Sequence, residues 1–318
     1  MNIIDRLNAH KGPAFSFEVL PPLKGKGICQ LFAGIDKLIE FDPIYINITS
    51  HRSEMVFVGT ADGLYKRISE RSRPGTVAVA AAIQQKYGIP AVPHIICSGF
   101  SKTETEYALI DLSFLGINNL LLLRGDKAKH ENRFVPVENG HSFACELEEQ
   151  VNMFNNGYFL DGTKMDAVSD TKFSYGVAGY PEKHDEAPNM DIDLANLKRK
   201  VDLGADYVVT QMFFDNNKYF DFVERCRSIG ITVPIIPGIK PIITKNQLTI
   251  LPKVFHVDLP NDLANELSSC HNNDEAKQIG MEWCLNQARE LLSKGVKSIH
   301  FYSLNATDIV RAVVKELF

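Results

Sequence analysis

The sequence predicts a (β/α)8 TIM barrel: one α/β domain over residues 1–318, with extra helix before its last strand. Three observations lead there. Eight short β-type runs alternate with segments of helical periodicity, the count for eight strand–helix units. No G-x-G-x-x-G follows the first run, so the dinucleotide fingerprint of a doubly wound sheet is missing. No Gly/Ser/Pro-rich linker, solenoid repeat or low-complexity tract divides the chain.

Taken in order, the first strand is "AFSFEV" (14–19), stopped by the double proline Pro21–Pro22, which cannot donate to a ladder. A helix near 27–40 leads to "IYINIT" (44–49), and one at 76–87 to "AVPHIIC" (91–97). A helix over 103–115 precedes "NLLLLR" (119–124), and one over 143–155 precedes "FSYGVAG" (173–179). Helices at 191–203 and 216–229 flank "YVVTQMFF" (207–214), and the seventh strand is "VPIIPGI" (233–239). A helix near 244–251 and further helix within 261–295 come before "SIHFYSL" (298–304), and a helix over 307–318 follows. The widest gap between strands, 125–172, ends in "NNGYFLDGTKMDAVSDTK", long for a βα unit and expected to be a surface excursion.

Composition narrows the function classes. With 45% hydrophobic and 23% charged residues, the chain has material for a sizeable core. A net charge of -5 offers no basic field for nucleic acid or an anionic membrane. The first residues lack the basic-then-apolar layout of a signal peptide, and no run approaches the roughly 20 apolar residues of a membrane span. The six cysteines form no C-x-x-C pair and read as reduced packing residues, so a cytoplasmic location is expected. No H-x-x-x-H or H-E-x-x-H occurs, so no metal site is expected, and there is no G-x-S-x-G elbow.

In such a barrel the chemistry sits at the C-terminal strand ends. The first strand carries Glu18 inside an apolar run, where a carboxylate is either paired or proton-active. The second ends in Thr49 and Ser50, hydroxyls suited to a ligand or to a turn. His94 lies within the third, where a lone histidine is more often a satisfied core residue than a functional one. The fourth delivers Arg124, Gly125 and Asp126 together, a ligand-binding end or a structural Arg–Asp pair. The fifth runs into "GVAGYPEKHDEAPN", with five ionisable side chains in a row from Glu182 to Glu186. Gln211 in the sixth is an amide among apolar neighbours, able to read a heterocycle edge. Lys240 follows the seventh, and nothing in its local context argues for a Schiff-base role.

Taken together, "FSFEVLPP", "VPHIIC", "LLLRGD", "VAGYPEKHDEA", "NLKRKVDLGADYVVTQMFFD", "IIPGIKPI" and "HFYSLN" closely resemble the methylenetetrahydrofolate reductase family. The likeness is to the bacterial type, catalytic domain only, and spans roughly residues 14–305. It implies a barrel with non-covalent FAD. NADH or NADPH would reduce the flavin, and methylenetetrahydrofolate would then take the hydride to become 5-methyltetrahydrofolate, a ping-pong exchange feeding methionine synthesis. Glu18 resembles the family's general acid, which protonates a departing folate nitrogen. Asp126 resembles the carboxylate beside flavin and folate, and Gln211 the residue that reads the pterin. Thr49, Ser50, His94, Arg124, Gly125, Asp126, Ala178, Tyr180, His184, Asp193, Asn196, Arg199 and Lys200 fall on flavin-binding positions. Glu182, Lys183 and Asp185 are then expected simply to face water. Gln247 and Leu251 match substrate-binding positions, although Leu251 stands where relatives have a stacking Phe. Ala306 stands where they have an Arg, and Thr49-Ser50-His51-Arg52 replaces Thr-Tyr-Gly-Ala. The family also implies a homo-oligomer, and a eukaryotic-type regulatory domain does not fit in 318 residues. A flavin-free pterin methyltransferase or lyase and a binding subunit without turnover remain the competing readings.

Overall fold

The computed structural model describes residues 2–128, 131–167, 172–304 and 306–318. The chain begins with α1 (Ile3–Ala9) and β1 (Ala14–Val19), followed by α2 (Ile28–Ile35) and β2 (Ile46–Ile48). An antiparallel hairpin, β3 (Glu54–Gly59) and β4 (Tyr65–Glu70), precedes α3 (Thr76–Tyr87) and β5 (Ala91–Ile96). Strict alternation follows: α4 (Lys102–Phe114), β6 (Asn119–Leu123), α5 (Ala144–Asn155), β7 (Ser174–Gly179), α6 (Met190–Leu203), β8 (Tyr207–Thr210) and α7 (Asn216–Ser228). Then come β9 (Ile235–Ile236), β10 (Gly238–Ile239), α8 (Gln247–Phe255), α9 (Asn261–Ser269), α10 (Asn273–Ser293), β11 (Ser298–Phe301) and α11 (Thr307–Leu317).

Every residue of β1 and β5 is buried, as parallel strands covered on both faces require. The sheet runs β10-β11-β1-β2-β5-β6-β7-β8-β9 with all pairs parallel. β9 and β10 are the two halves of the seventh predicted strand, parted at Pro237, which has no N–H to give. β9 pairs with β8 and β10 with β11, while the Pro237 carbonyl accepts from His300 N at 2.9 Å. The barrel closes across that break.

Alternation along β1 sorts the two core layers. Phe15, Phe17 and Val19 pack outward against the helices, with Leu194 and Leu197 of α6 and Val310, Val313 and Val314 of α11 in the same layer. Ala14 points inward, into a plug formed by Ile3 and Leu7 of α1 with Tyr45, Val92, Tyr207 and Ile236. Local chemistry starts the helices where the sequence suggests. Ser101 and Glu104 form a reciprocal capping box on α4, and the Asn189 side chain caps Ile192 N at 2.9 Å on α6.

Several predicted bounds are corrected. The sixth strand ends at Thr210, so Gln211 lies just beyond it. There the Thr210 hydroxyl accepts from Gly238 N at 2.9 Å and its carbonyl from the Tyr302 hydroxyl at 2.7 Å. Residues 261–295 form two helices, because Asn272 caps α10 by accepting from Asp274 N and Glu275 N. The periodicity of 27–40 shortens to α2 plus a 3-10 turn over Ile39–Phe41. Neither α1 nor the hairpin was anticipated. Of the excursion at 155–172, a small turn closed by Phe159 N on the Thr163 carbonyl is seen, while 168–171 lie outside the described residues. No described helix is long and apolar enough to cross a membrane.

Candidate active site

The inward residues of the strands build the site in levels. Ser16 Oγ lies 2.8 Å from His300 Nδ1, and Asn47 Nδ2 lies 3.5 Å from His300 Nε2. One level higher, Glu18 is 6% exposed and its Oε2 is 3.5 Å from His94 Nε2. Burial pushes Glu18 up to about 8, with the Lys240 charge opposing. Burial, aided by the nearby His51, pushes His94 down to about 3. Glu18 is thus largely protonated near neutral pH, and His94 is uncharged. Their approach is between neutral groups rather than an ion pair, and a neutral carboxyl at a barrel mouth is able to donate a proton.

The rim around this centre comes from the neighbouring strand ends. The Thr49 hydroxyl lies 3.0 Å from His51 Nε2, and Ser50 is half-buried beside it. Arg124 pairs with Glu186 and lays its guanidinium 4.8 Å from the Phe134 ring centre. Gly125 takes φ +80°, turning the chain so that the Asp126 carbonyl accepts from Ser98 Oγ at 2.5 Å while Asp126 stays exposed. A cavity of about 560 Å3 opens beside Ser50, His51 and His94 and runs along α3 and α4.

The charged run after β7 does not simply face water. Lys183 Nζ donates inward to the carbonyls of His184 at 2.8 Å and Ala187 at 2.6 Å, stapling the loop on itself. Glu182 Oε2 accepts from Asp258 N at 2.7 Å, joining this loop to the one after α8. Asp185 lies between His184, at 3.1 Å, and His256, at 3.5 Å. So held, Tyr180 and His184 meet edge to face at 4.7 Å, and His184 N donates to Asp193 Oδ2 at 3.0 Å. Lys200 Nζ donates to the Ala178 carbonyl at 2.5 Å, Arg199 is 3.4 Å from Glu149, and Asn196 is exposed.

The structure therefore gathers Glu18, His94 and Gln211 at the mouth, and the 49–50, 124–126 and 178–184 residues with α6 around it. Gln211 is half-buried. Its Oε1 accepts from Met212 N at 2.9 Å, and its amide N–H groups are unused among the described residues. The other two positions differ. Gln247 Oε1 caps its own helix, accepting from Ile243 N at 2.6 Å and Thr244 N at 3.0 Å. Leu251 is 1% exposed in a satellite core with Met212, Phe214 and Leu263, so it has no surface to stack on a ligand. Ala306 is buried at the start of α11.

Two further residues stand out. Lys240, which the sequence places after the seventh strand with no role, is 8% exposed and lies near Glu18. Glu148 is fully buried with neither carboxylate oxygen hydrogen-bonded, and burial raises its pKa against the pull of Lys200 and Arg199. Its signal was the helical spacing of Leu147, Glu148 and Val151, which puts a glutamate on the core face of α5.

Residues 3–318 match the sequence profile of the family described as methylenetetrahydrofolate reductase. The chain belongs to that family. It is 31% identical over 305 residues to the 5,10-methylenetetrahydrofolate reductase of Salmonella typhimurium, covering 95% of this chain and 90% of that protein. It is 32% identical over 330 residues to methylenetetrahydrofolate reductase (NADH) 1 of Arabidopsis thaliana, covering all of this chain and 51% of that protein. The chain spans about half the length of the eukaryotic relatives it matches. An uncharacterised Clostridium thermocellum protein, solved with two copies of 5-methyl-5,6,7,8-tetrahydrofolic acid, superposes with a TM-score of 0.60 at 13% identity. That superposition covers 99% of this chain and 98% of the other, and it shows a shared fold.

Proposed function

We propose that this chain reduces 5,10-methylenetetrahydrofolate to 5-methyltetrahydrofolate with NADH or NADPH, through a bound FAD in a ping-pong exchange that feeds methionine synthesis. The observation that carries the reading is Glu18: a carboxyl kept protonated by burial at the mouth of a reductase-family barrel.

The donor set suits a flavin dinucleotide. Arg124, Arg199 and Lys200 supply positive charge on one side of the mouth, where a pyrophosphate needs it. Asn196 offers an exposed amide, and Tyr180 an aromatic face steadied by His184. When bound, the flavin would accept a hydride from the nucleotide and pass one to the folate. The chain's own residues do the rest. Glu18 protonates the departing folate nitrogen, opening the ring to a reactive cation. His94, uncharged, stands 3.5 Å from the Glu18 carboxyl without competing as an acid. The exposed Asp126 carboxylate favours the developing positive charge, and the unused Gln211 amide reads the pterin edge.

The test is the visible spectrum of the purified protein under anaerobic titration. Flavin bands that bleach with NADH and return with methylenetetrahydrofolate are expected. A protein that stays colourless with added FAD would overturn the cofactor reading and favour a flavin-free pterin enzyme.

A further inference from the structure

Lys240 has no part in the chemistry above, yet strand register aims it at the acid. Ser16 of β1 and Gly238 of β10 both stand opposite His300 of β11. Two residues on, on the same inward face, come Glu18, Tyr302 and Lys240. The ladder reaches that level, because Tyr302 N donates to the Ile239 carbonyl at 2.9 Å. The Tyr302 ring lies over Gly238, where a side chain would collide with it. Glu18 and Lys240 are thus two strand spacings of about 4.8 Å apart at the backbone, within reach of a lysine chain.

The groups around Glu18 are Asn47 from β2, His94 from β5, His300 from β11, Tyr302 just after it, and Lys240. Both imidazoles are held neutral by burial, down to about 3, and burial keeps the tyrosine un-ionised. Lys240 is the one amine in this set, and burial lowers its pKa while Glu18 opposes that shift. It makes no hydrogen bond or ion pair among the described residues. Its other titratable neighbour, Cys284 of α10, is pushed up to about 12 by burial and is uncharged.

We propose that Lys240 is a positioning residue for the acid: its ammonium holds the buried Glu18 carboxyl close enough to ionisation for the proton to be released to a substrate nitrogen. Burial alone makes Glu18 a weak acid that keeps its proton. A cation nearby, but not in contact, stabilises the carboxylate left behind without neutralising the acid beforehand. The catalytic half of this statement rests on Glu18 being the donor, whereas the coupling does not.

The test reads the coupling on the protein without substrate. The infrared band of the protonated carboxyl that Glu18→Gln deletes is titrated in wild type, Lys240→Met and Lys240→Arg. The midpoint should rise in Lys240→Met by on the order of one pH unit, a tenfold tighter hold on the proton, and return in Lys240→Arg. A Lys240 that only packs would cost stability without such a shift, so an unmoved or lowered midpoint overturns the proposal. If Lys240→Met does not fold, Lys240→Gln takes its place with the same requirement. The pH at which the folate half-reaction falls off should rise in parallel. An infrared shift without that parallel leaves the coupling standing and sinks Glu18 as the proton donor.

Discussion

At its N-terminal end the barrel is stoppered by α1. Ile3 and Leu7 sit on Ala14, Ile44, Tyr45 and Tyr207, Ile3 N donates to Asn119 Oδ1 at 3.1 Å, and Arg6 pairs with Asp42 at 2.8 Å. At the C-terminal end the same strands run into Glu18, His94, Gln211 and Lys240, of which His94 Nε2 has no hydrogen-bond partner. The lower end buries mainly apolar surface, which stabilises the fold, and leaves the Tyr45 and Ser298 hydroxyls as its buried polar atoms without a partner among the described residues. The upper end keeps polar groups buried but short of partners, which costs stability unless a ligand completes them. One set of strands therefore holds an apolar, plugged end and an end of buried polar groups, separated by only a few residues along each strand.

Four substitutions or conditions break or sharpen that contrast. The largest effect should come from Glu18→Gln, which keeps the shape and removes the proton. The folate half-reaction should fall by about 10²–10⁴-fold while NADH still bleaches the flavin, as stopped-flow absorbance would read. Survival of both half-reactions would remove Glu18 from the chemistry. At the other end, Leu7→Ala should lower unfolding free energy by about 2–4 kcal/mol in urea titrations. Both half-reactions should persist below the melting temperature. If Leu7→Ala slows them as Glu18→Gln does, the two ends are not independent.

The pH dependence of stability should set the ends apart next. The folded Glu18 value of about 8 lies above the ordinary 4.5. Its contribution is complete below about 4.5 and is lost as pH rises toward 8. Wild type should therefore lose stability relative to Glu18→Gln between pH 5 and 8, by on the order of a few kcal/mol at most. Parallel stability curves for the two proteins would mean that Glu18 is already ionised at pH 5. The smallest effect is expected from exposed Asp126. Asp126→Asn should slow the folate step by roughly tenfold, about 1.4 kcal/mol, and the nucleotide step less. Equal slowing of both steps would sink its electrostatic role.

Much of the barrel could be read from the chain. Burial on both faces makes each inner strand a continuous apolar run, as in "NLLLL" of β6, and those runs alternate visibly with helices such as α6. The hairpin at 54–70 escaped because it is exposed, with Phe57 at 69% and Tyr65 at 76%, so no buried face imposed a pattern on it. At the site, Glu18 stood out as a carboxylate in an apolar strand, and Arg124–Gly125–Asp126 as a cluster at a strand end. Leu251 was misplaced because a helical apolar residue looks the same on paper whether it faces a ligand or a satellite core.

By itself the sequence determined the order of strands and helices, the residues at each strand end and the family, because propensity, periodicity and motif are local properties of the chain. Only the tertiary structure decided that Pro237 divides a strand between two neighbours, that Lys183 turns inward to hold its own loop, and that Lys240 stands two strands from Glu18. Those facts depend on register and burial, which arise when distant segments meet. The proton on Glu18 belongs with them, since desolvation and a neighbouring charge set its pKa and neither exists until the barrel closes.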